Sequence, residues 1–231
     1  MNLRVEPGEL VAVVGPNGAG KSTLVKAVVG VARVFEGRVT FDGQDLLRRT
    51  ASSRVRLGIS YVPQVRNVFP SLTVRENLTM GAFVRPEREA ELLETVLAAF
   101  PKLAERALQR AGSLSGGERQ MLALGKALMS EPRLLVVDEP AAALAPVVAD
   151  SVFERLASIR DGGTAVLAVE QRARRILSMA DRAYVLDRGR NRFEGRGPEV
   201  LADPEMGRSY LGPAGPATPG PDKRLRSEPD S

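Results

Sequence analysis

The stretch GPNGAGKST, residues 15–23, follows the apolar run LVAVV at residues 10–14 and leads into TLVKAVVGV, whose apolar residues recur at helical intervals. It fits the pattern G-x-x-x-x-G-K-[ST], in which backbone N–H groups curl around phosphate oxygens and the lysine reaches the outer phosphates. A strand before the loop and a helix after it is the context that pattern requires. Two more apolar runs, LLVV at 134–137 and AVLAV at 165–169, stop at Asp138 and Glu139 and at Glu170 and Gln171. Such runs read as parallel strands buried on both faces. In open parallel sheets ligands bind beyond the carboxyl ends of the strands, so these strand ends are expected to converge on one phosphate site. The fold class expected is α/β, a mainly parallel sheet flanked by helices.

The rest of the chain arranges itself around that sheet. GRVTFDGQDL, residues 37–46, reads as a small antiparallel strand and turn. Residues 72–111 read as mostly helical, with Thr73 and Glu76 spaced as a capping box and residues 86–100 carrying apolar positions at helical intervals. Ser115 and Glu118 repeat the capping-box spacing at the head of the apolar helix MLALGKALM. We therefore expect one domain over residues 1–212 with an inserted helical sub-lobe over about 72–130. Residues 183–187 read as a strand followed by a tight hairpin, and residues 199–210 as a closing helix. From residue 213 to 231 the chain is proline, glycine and charge, a composition with too little apolar surface to fold, and disorder is expected there.

Composition removes several chemistries. The 231 residues contain no Cys and no His, which excludes a disulfide frame, a thiolate nucleophile, an imidazole base and a His/Cys zinc site. Acid–base work falls to carboxylates, lysine or tyrosine. The net charge of +5 is spread among interspersed residues and reads as a solvated exterior rather than a nucleic-acid surface. No stretch approaches the roughly 18 apolar residues of a membrane span, and the opening MNLRVEPGEL lacks a signal-peptide layout, so a cytoplasmic location is expected.

Phosphoryl transfer needs donors around the phosphates, a metal and an oriented water more than it needs covalent chemistry. The loop formed by Gly15, Pro16, Asn17, Gly18, Ala19, Gly20, Lys21, Ser22 and Thr23 supplies the donors. Ser22 and Asp138 are placed to hold Mg²⁺, and Glu139, one residue beyond Asp138, is the candidate to polarise the attacking water. LSGGERQ at 114–120 is a capped helix start whose Ser115 and amides at Gly116 and Gly117 form an anion site.

The ordered set of GPNGAGKST, Gln64, LSGGERQ and LLVVDEP resembles the ATP-binding subunits of ABC transporters, members of the P-loop NTPases. YVPQVRNVFPSLTVRENLTMGA (61–82), the segment 114–140, ALAP (143–146), VEQ (169–171) and ADRAYVLDRGR (180–190) are similar to the ATPases of branched-chain or hydrophobic amino acid importers. The resemblance implies ATP and Mg²⁺ as cofactors and a head-to-tail homodimer or heterodimer. In it ATP on one phosphate loop is covered by Ser115, Gly116, Gly117 and Glu118 of the other subunit. It further implies that Gln64 contacts the metal and water and relays closure to integral membrane permease subunits docked at the helical sub-lobe. An extracytoplasmic substrate-binding protein would act indirectly, the subunit would sit peripherally on the inner face of the membrane, and nucleic acid is not an expected partner.

Three positions depart from the family pattern. Gln171 stands where most members have a switch histidine; it can donate to a γ-phosphate but cannot titrate near neutrality. Ala141 and Ala143 stand where serine and glycine are common, and a positive φ at 143 would cost alanine about 1 kcal/mol. Members carry one or two strands, with an adenine-stacking aromatic, ahead of the first apolar run; here MNLRVEPGE precedes that run, so those strands are expected to be missing, and the first aromatic is Phe35, beyond the phosphate loop. Two alternatives stay open: a soluble ABC-type ATPase acting on nucleic acid or ribosomes, and a truncated nucleotide-binding module with little or no turnover.

Overall fold

The structure, a computed structural model, describes residues 1–211; the expectation of disorder over residues 213–231 lies outside the described residues. The first nine residues carry no strand, and the apolar run at the start of the sheet is β1 (Leu10–Val14). It passes through the phosphate loop into α1 (Lys21–Val29), which ends at Gly30 in the left-handed conformation that only glycine adopts without strain. A short antiparallel pair follows, β2 (Thr40–Phe41) and β3 (Gln44–Asp45), then α2 (Ala51–Arg56) and β4 (Ile59–Val62). Sequence periodicity did not reveal β4, because Ser60 and Tyr61 interrupt its apolar pattern and four residues are too few to establish a period.

The helical lobe holds α3 (Val74–Thr79), α4 (Glu89–Ala99), α5 (Pro101–Ala104) and α6 (Gly116–Leu128), with short 3₁₀ turns between them. Both expected capping boxes form, Thr73 with Glu76 and Ser115 with Glu118. The chain then returns to the sheet as β5 (Leu134–Asp138), α7 (Pro146–Asp161), β6 (Ala165–Glu170), α8 (Ala173–Met179), β7 (Arg182–Asp187) and β8 (Arg190–Gly195). The closing segment is broken rather than a single helix. It comprises α9 (Gly197–Ala202) and α10 (Pro204–Met206), separated at Asp203, whose carboxylate caps the second piece while Pro204 removes an N–H donor.

The sheet runs β4-β5-β6-β1-β7-β8, parallel throughout except for the hairpin strand β8. Every residue of β1, β5 and β6 is buried, as expected of strands covered on both faces. Within β1 the alternation divides the core in two. Leu10, Ala12 and Val14 pack with α6, α7 and α8, while Val11 and Val13 pack with Val25 and Val29 of α1. Register sets the site: Val14 pairs with Glu170 and Asp138 with Val169, so Gly15, Gln171 and Glu139 emerge near one another at the carboxyl end of the sheet.

One buried cation, Arg54, fixes the far end of α1. It is 3% exposed and donates to the carbonyls of Ala27, Val28, Leu46 and Arg49, at 2.6–3.2 Å. Those carbonyls include the last turn of α1, where a positive charge meets the negative end of the helix dipole.

Candidate functional site

The phosphate loop is held by what packs behind it. A Cβ at Gly15 would lie 2.2 Å from the carbonyl oxygen of Leu186 at the end of β7, a contact no side chain could make. Gly189 N, in the β7–β8 hairpin, donates to Ala19 O at 2.9 Å, so the hairpin braces the loop. Gly18 and Gly20 have φ of 78° and 102°, and nothing crowds the position a Cβ would take at Gly18. Pro16, Asn17, Gly18 and Thr23 are exposed while Ala19 is buried, so the loop is anchored from one side and open on the other.

Lys21, 5% exposed, turns its ammonium back into the loop, donating to Gly15 O at 2.8 Å and Pro16 O at 3.2 Å. Its Nζ stands 4.0 Å from Glu139 Oε1. Ser22 Oγ donates to Asp138 Oδ1 at 3.3 Å, bringing the hydroxyl from the first turn of α1 and the carboxylate from the end of β5 to one point. Gln64, two residues past β4, donates through Nε2 to Glu139 Oε2 at 2.8 Å. Glu139 itself leaves β5 with φ of 46°, its N–H donating to Val169 O at 2.9 Å, and this turn aims its side chain at the lysine.

Two further residues belong to this cluster and were not singled out from the sequence. Tyr61 OH donates to Asp138 Oδ2 at 3.4 Å; burial first, and then the Asp138 charge, push its hydroxyl up to about 12. Glu170, 1% exposed, accepts from the N–H groups of Ala141, Gln171 and Arg172 at 2.9, 3.1 and 3.3 Å. Burial raises its pKa, the three donors oppose that, and Glu139 adds to the rise. Tyr61 lies on the strand the periodicity missed, and Glu170 was read only as the end of an apolar run.

Gln171 follows Glu170 at the same carboxyl end of the sheet, but its side chain is exposed and forms no hydrogen bond with the phosphate loop or Glu139 among the described residues. Ala143 has φ of 59°, the left-handed conformation that strains alanine, and Ala141 is fully buried. Phe35 is 83% exposed, with the Arg33 guanidinium 5.4 Å over its ring.

At the head of α6, Ser115 N donates to Glu118 Oε2 at 2.8 Å and Glu118 N donates to Ser115 Oγ at 3.3 Å. The Ser115 N–H, more than any charge, holds the Glu118 carboxyl below its usual range. A Cβ on Gly117 would come within 2.2 Å of Val148 Cγ1, and one on Gly116 within 3.3 Å of Leu144 Cδ2, so the glycines let the start of α7 and the loop just before it approach closely. No hydrogen bond joins residues 115–118 to the phosphate loop among the described residues.

The donor set suits a hard cation only with help. Ser22 and Asp138 offer a hydroxyl and one carboxylate, and among the described residues no cluster of three or more acidic groups could hold a metal alone. Mg²⁺ is commonly bound by one or two carboxylates together with substrate phosphates, which this pair fits.

The chain matches known proteins over most of its length. The ABC transporter family model matches residues 1–142. A high-affinity branched-chain amino acid transport ATP-binding protein, BraG of Pseudomonas aeruginosa, is 43% identical, covering 92% of this chain and 91% of its own. A probable branched-chain amino acid transport ATP-binding protein of Archaeoglobus fulgidus, LivF, is 41% identical over 90% of this chain and 89% of its own. Among solved structures, a nucleotide-free ATP-binding cassette from an ABC transporter superposes with a TM-score of 0.79 at 31% identity, covering 91% of this chain and 90% of the other. The parallel sheet, the phosphate loop beneath its hairpin brace and these likenesses together place the chain in the ABC transporter family, as an ATP-binding cassette whose relatives include branched-chain amino acid transport ATP-binding proteins.

Proposed function

We propose that this chain is the ATP-hydrolysing subunit of an importer of branched-chain or other hydrophobic amino acids. The observation that carries the reading is the meeting of Lys21, Gln64 and Glu139 beside the Ser22–Asp138 pair at the ends of β1, β4 and β5. A hydrolytic site needs a phosphate cradle, a metal-binding pair and a carboxylate that can orient water; here the Lys21 ammonium of the cradle stands 4.0 Å from the Glu139 carboxylate, and the Ser22–Asp138 pair is formed by the residues next to each of them in sequence.

Each residue then has a task. The amides of residues 15–21 and the Lys21 ammonium hold phosphate oxygens; Ser22 and Asp138, with Gln64 at the edge, would hold Mg²⁺. The bound ion would neutralise the charge that develops on the phosphates. Glu139 orients and polarises water, and Gln64, already bonded to it, senses whether that water and the metal are in place. Gln171, beside Gly15 at the carboxyl end of the sheet, donates to the outer phosphate without titrating. Ser115, Gly116, Gly117 and Glu118, which form no hydrogen bond with their own phosphate loop among the described residues, cover the nucleotide of a second subunit in a homodimer or heterodimer.

Membrane coupling is supported by the surface of the helical lobe. Val65, Phe69, Met80 and Phe83 are all exposed large apolar residues near the Gln64 loop and α3, an uncommon grouping on a soluble face. No helix among the described residues is long and apolar enough to cross a membrane, so the span would belong to integral permease subunits docked on this lobe. The subunit would then lie at the inner face of the membrane, with an extracytoplasmic substrate-binding protein acting through the permease.

The test is reconstitution with the permease and binding protein in vesicles. ATP-dependent uptake of leucine, isoleucine or valine, absent in Glu139→Gln, supports the reading. Hydrolysis with no uptake of any hydrophobic amino acid contradicts the substrate class, and an absence of hydrolysis contradicts the enzyme.

A further inference from the structure

The loop after Glu139 is held against the end of β6 at three separate points. Glu139 N donates to Val169 O at 2.9 Å; Ala141 N donates to Glu170 Oε1 at 2.9 Å; and the Arg172 guanidinium donates to Leu144 O at 3.0 Å. Only the middle contact is a buried carboxylate. Glu170 also accepts from the N–H groups of Gln171 and Arg172, so one side chain fixes the turn on its own strand and the loop on the neighbouring one.

The conformation being fixed is unfavourable on its own. Glu139 and Ala143 both have positive φ, 46° and 59°, without being glycine. A loop with two such residues keeps its shape only where its surroundings over-determine it. Ala141, wholly buried between them, is the point where Glu170 grips.

The same loop reaches the signature glycines of its own chain. Leu144 Cδ2, in the loop, lies 3.3 Å from where a Cβ of Gly116 would stand, and Val148 Cγ1, just inside α7, 2.2 Å from that of Gly117, so the segment running from the loop into α7 lies directly against the head of α6. Contact this close carries a displacement of the loop to the head of α6, as small shifts at packed elements do in switching proteins.

We propose that Glu170 is a positioning residue that holds the 141–144 loop in its strained form. Through that loop it ties the geometry of Glu139 at one nucleotide site to the chain's own Ser115, Gly116 and Gly117, which serve the other site. The inference rests on the hydrolytic, two-site reading above. Glu170 touches no phosphate; it acts through Ala141, and Arg172 assists it through Leu144.

Glu170→Gln keeps the shape of the side chain but replaces one acceptor oxygen by a donor, turning an N–H toward an N–H. The expected result is a fall in kcat on the order of tenfold, the scale of coupling changes made by residues outside a ligand site. KM for ATP stays near wild type, because Lys21 and the phosphate loop are untouched, and the Hill coefficient for ATP falls toward 1. Adding Ala143→Gly, which relieves the strain that Glu170 opposes, restores part of the lost turnover. Arg172→Met, at an exposed position that does not endanger folding, lowers kcat several-fold in the same direction with an unchanged melting temperature.

Amide hydrogen exchange gives a readout independent of turnover. Glu170→Gln should exchange faster at residues 141–144 and at 115–117, with the core of β1 unchanged. Wild-type kcat and Hill coefficient in both Glu170→Gln and Arg172→Met, or unchanged exchange at 141–144, would overturn the inference. A wild-type chain that hydrolyses nothing while Glu170→Gln still loosens both segments would instead defeat the hydrolytic reading and leave the mechanical link standing.

Discussion

Gln64 Nε2 donates to Glu139 Oε2 at 2.8 Å, joining the loop after β4 to the carboxylate that follows β5. The bond makes the side chain meant to orient water depend on the loop that enters the helical lobe. Glu139→Gln is expected to lower kcat by about a hundredfold or more while ATP still binds, since a general base contributes on that scale and Lys21 is unaffected. Gln64→Ala should lower kcat on the order of tenfold and weaken stimulation by the permease. Steady-state ATPase assays with a nucleotide-binding titration check both; equal loss of binding and turnover would show that the two residues hold the loop rather than the water.

Ala143 stands at φ 59°, where glycine adopts the same conformation without the Cβ penalty. Ala143→Gly should therefore stabilise the folded chain by up to about 1 kcal/mol, which for a domain of this size is roughly 2 to 4 °C in melting temperature. Coupled turnover should rise with it. A lower melting temperature would mean that the unfolded-state entropy of glycine outweighs the relieved strain.

Arg54→Met removes the donors that Ala27, Val28, Leu46 and Arg49 carbonyls share, and leaves the last turn of α1 without its cation. Orphaned buried acceptors cost about 1 to 3 kcal/mol each when truly desolvated, and water reaching some of these carbonyls reduces the sum. A destabilisation of roughly 2 to 4 kcal/mol is expected, read by urea denaturation, with nucleotide binding weakened only as far as α1 loosens. Unchanged stability would show that the four carbonyls find other partners.

The capping carboxylate of α6 gives a pH signature. Glu118 titrates below its ordinary value in the folded chain, so its contribution to stability is fully present above the unfolded pKa near 4.5 and is lost as the pH falls through the lower folded value. Wild type should exceed Glu118→Gln in melting temperature at pH 7, with the gap closing on going to pH 3. Tyr61, pushed up to about 12, keeps its proton through the alkaline range, so any loss of activity in Tyr61→Phe should be constant from pH 6 to pH 9. A gap in melting temperature that persists at pH 3 would remove the cap from the explanation.

The parallel sheet was legible because β1, β5 and β6 are covered on both faces and so read as unbroken apolar runs, with acidic or glycine-rich residues marking their carboxyl ends. Both helix starts with capping boxes were legible for a local reason: the pairs Thr73–Glu76 and Ser115–Glu118 satisfy backbone donors within four residues. What could not be read depends on partners distant in sequence. Tyr61 matters because parallel pairing with β5 brings it to Asp138, 77 positions on; Glu170 because β6 lies beside β5, so that its side chain meets Ala141. Arg54 carries no signal as a buried residue, since it is one of four arginines between residues 48 and 56 and an arginine in a polar stretch ordinarily faces solvent. The break at Asp203–Pro204 was readable in principle from proline, and the apolar spacing on either side concealed it.

The central claim is that the residues gathered around Lys21, Asp138 and Glu139 form a hydrolytic site. The most direct measurement is Mg²⁺-dependent phosphate release from ATP by the purified chain with its permease, compared with Glu139→Gln under the same conditions. The account predicts steady release by the wild type, none above background by the variant, and retained ATP binding by both. Release that persists at the wild-type rate in Glu139→Gln, or no release by the wild type despite bound ATP, would contradict it.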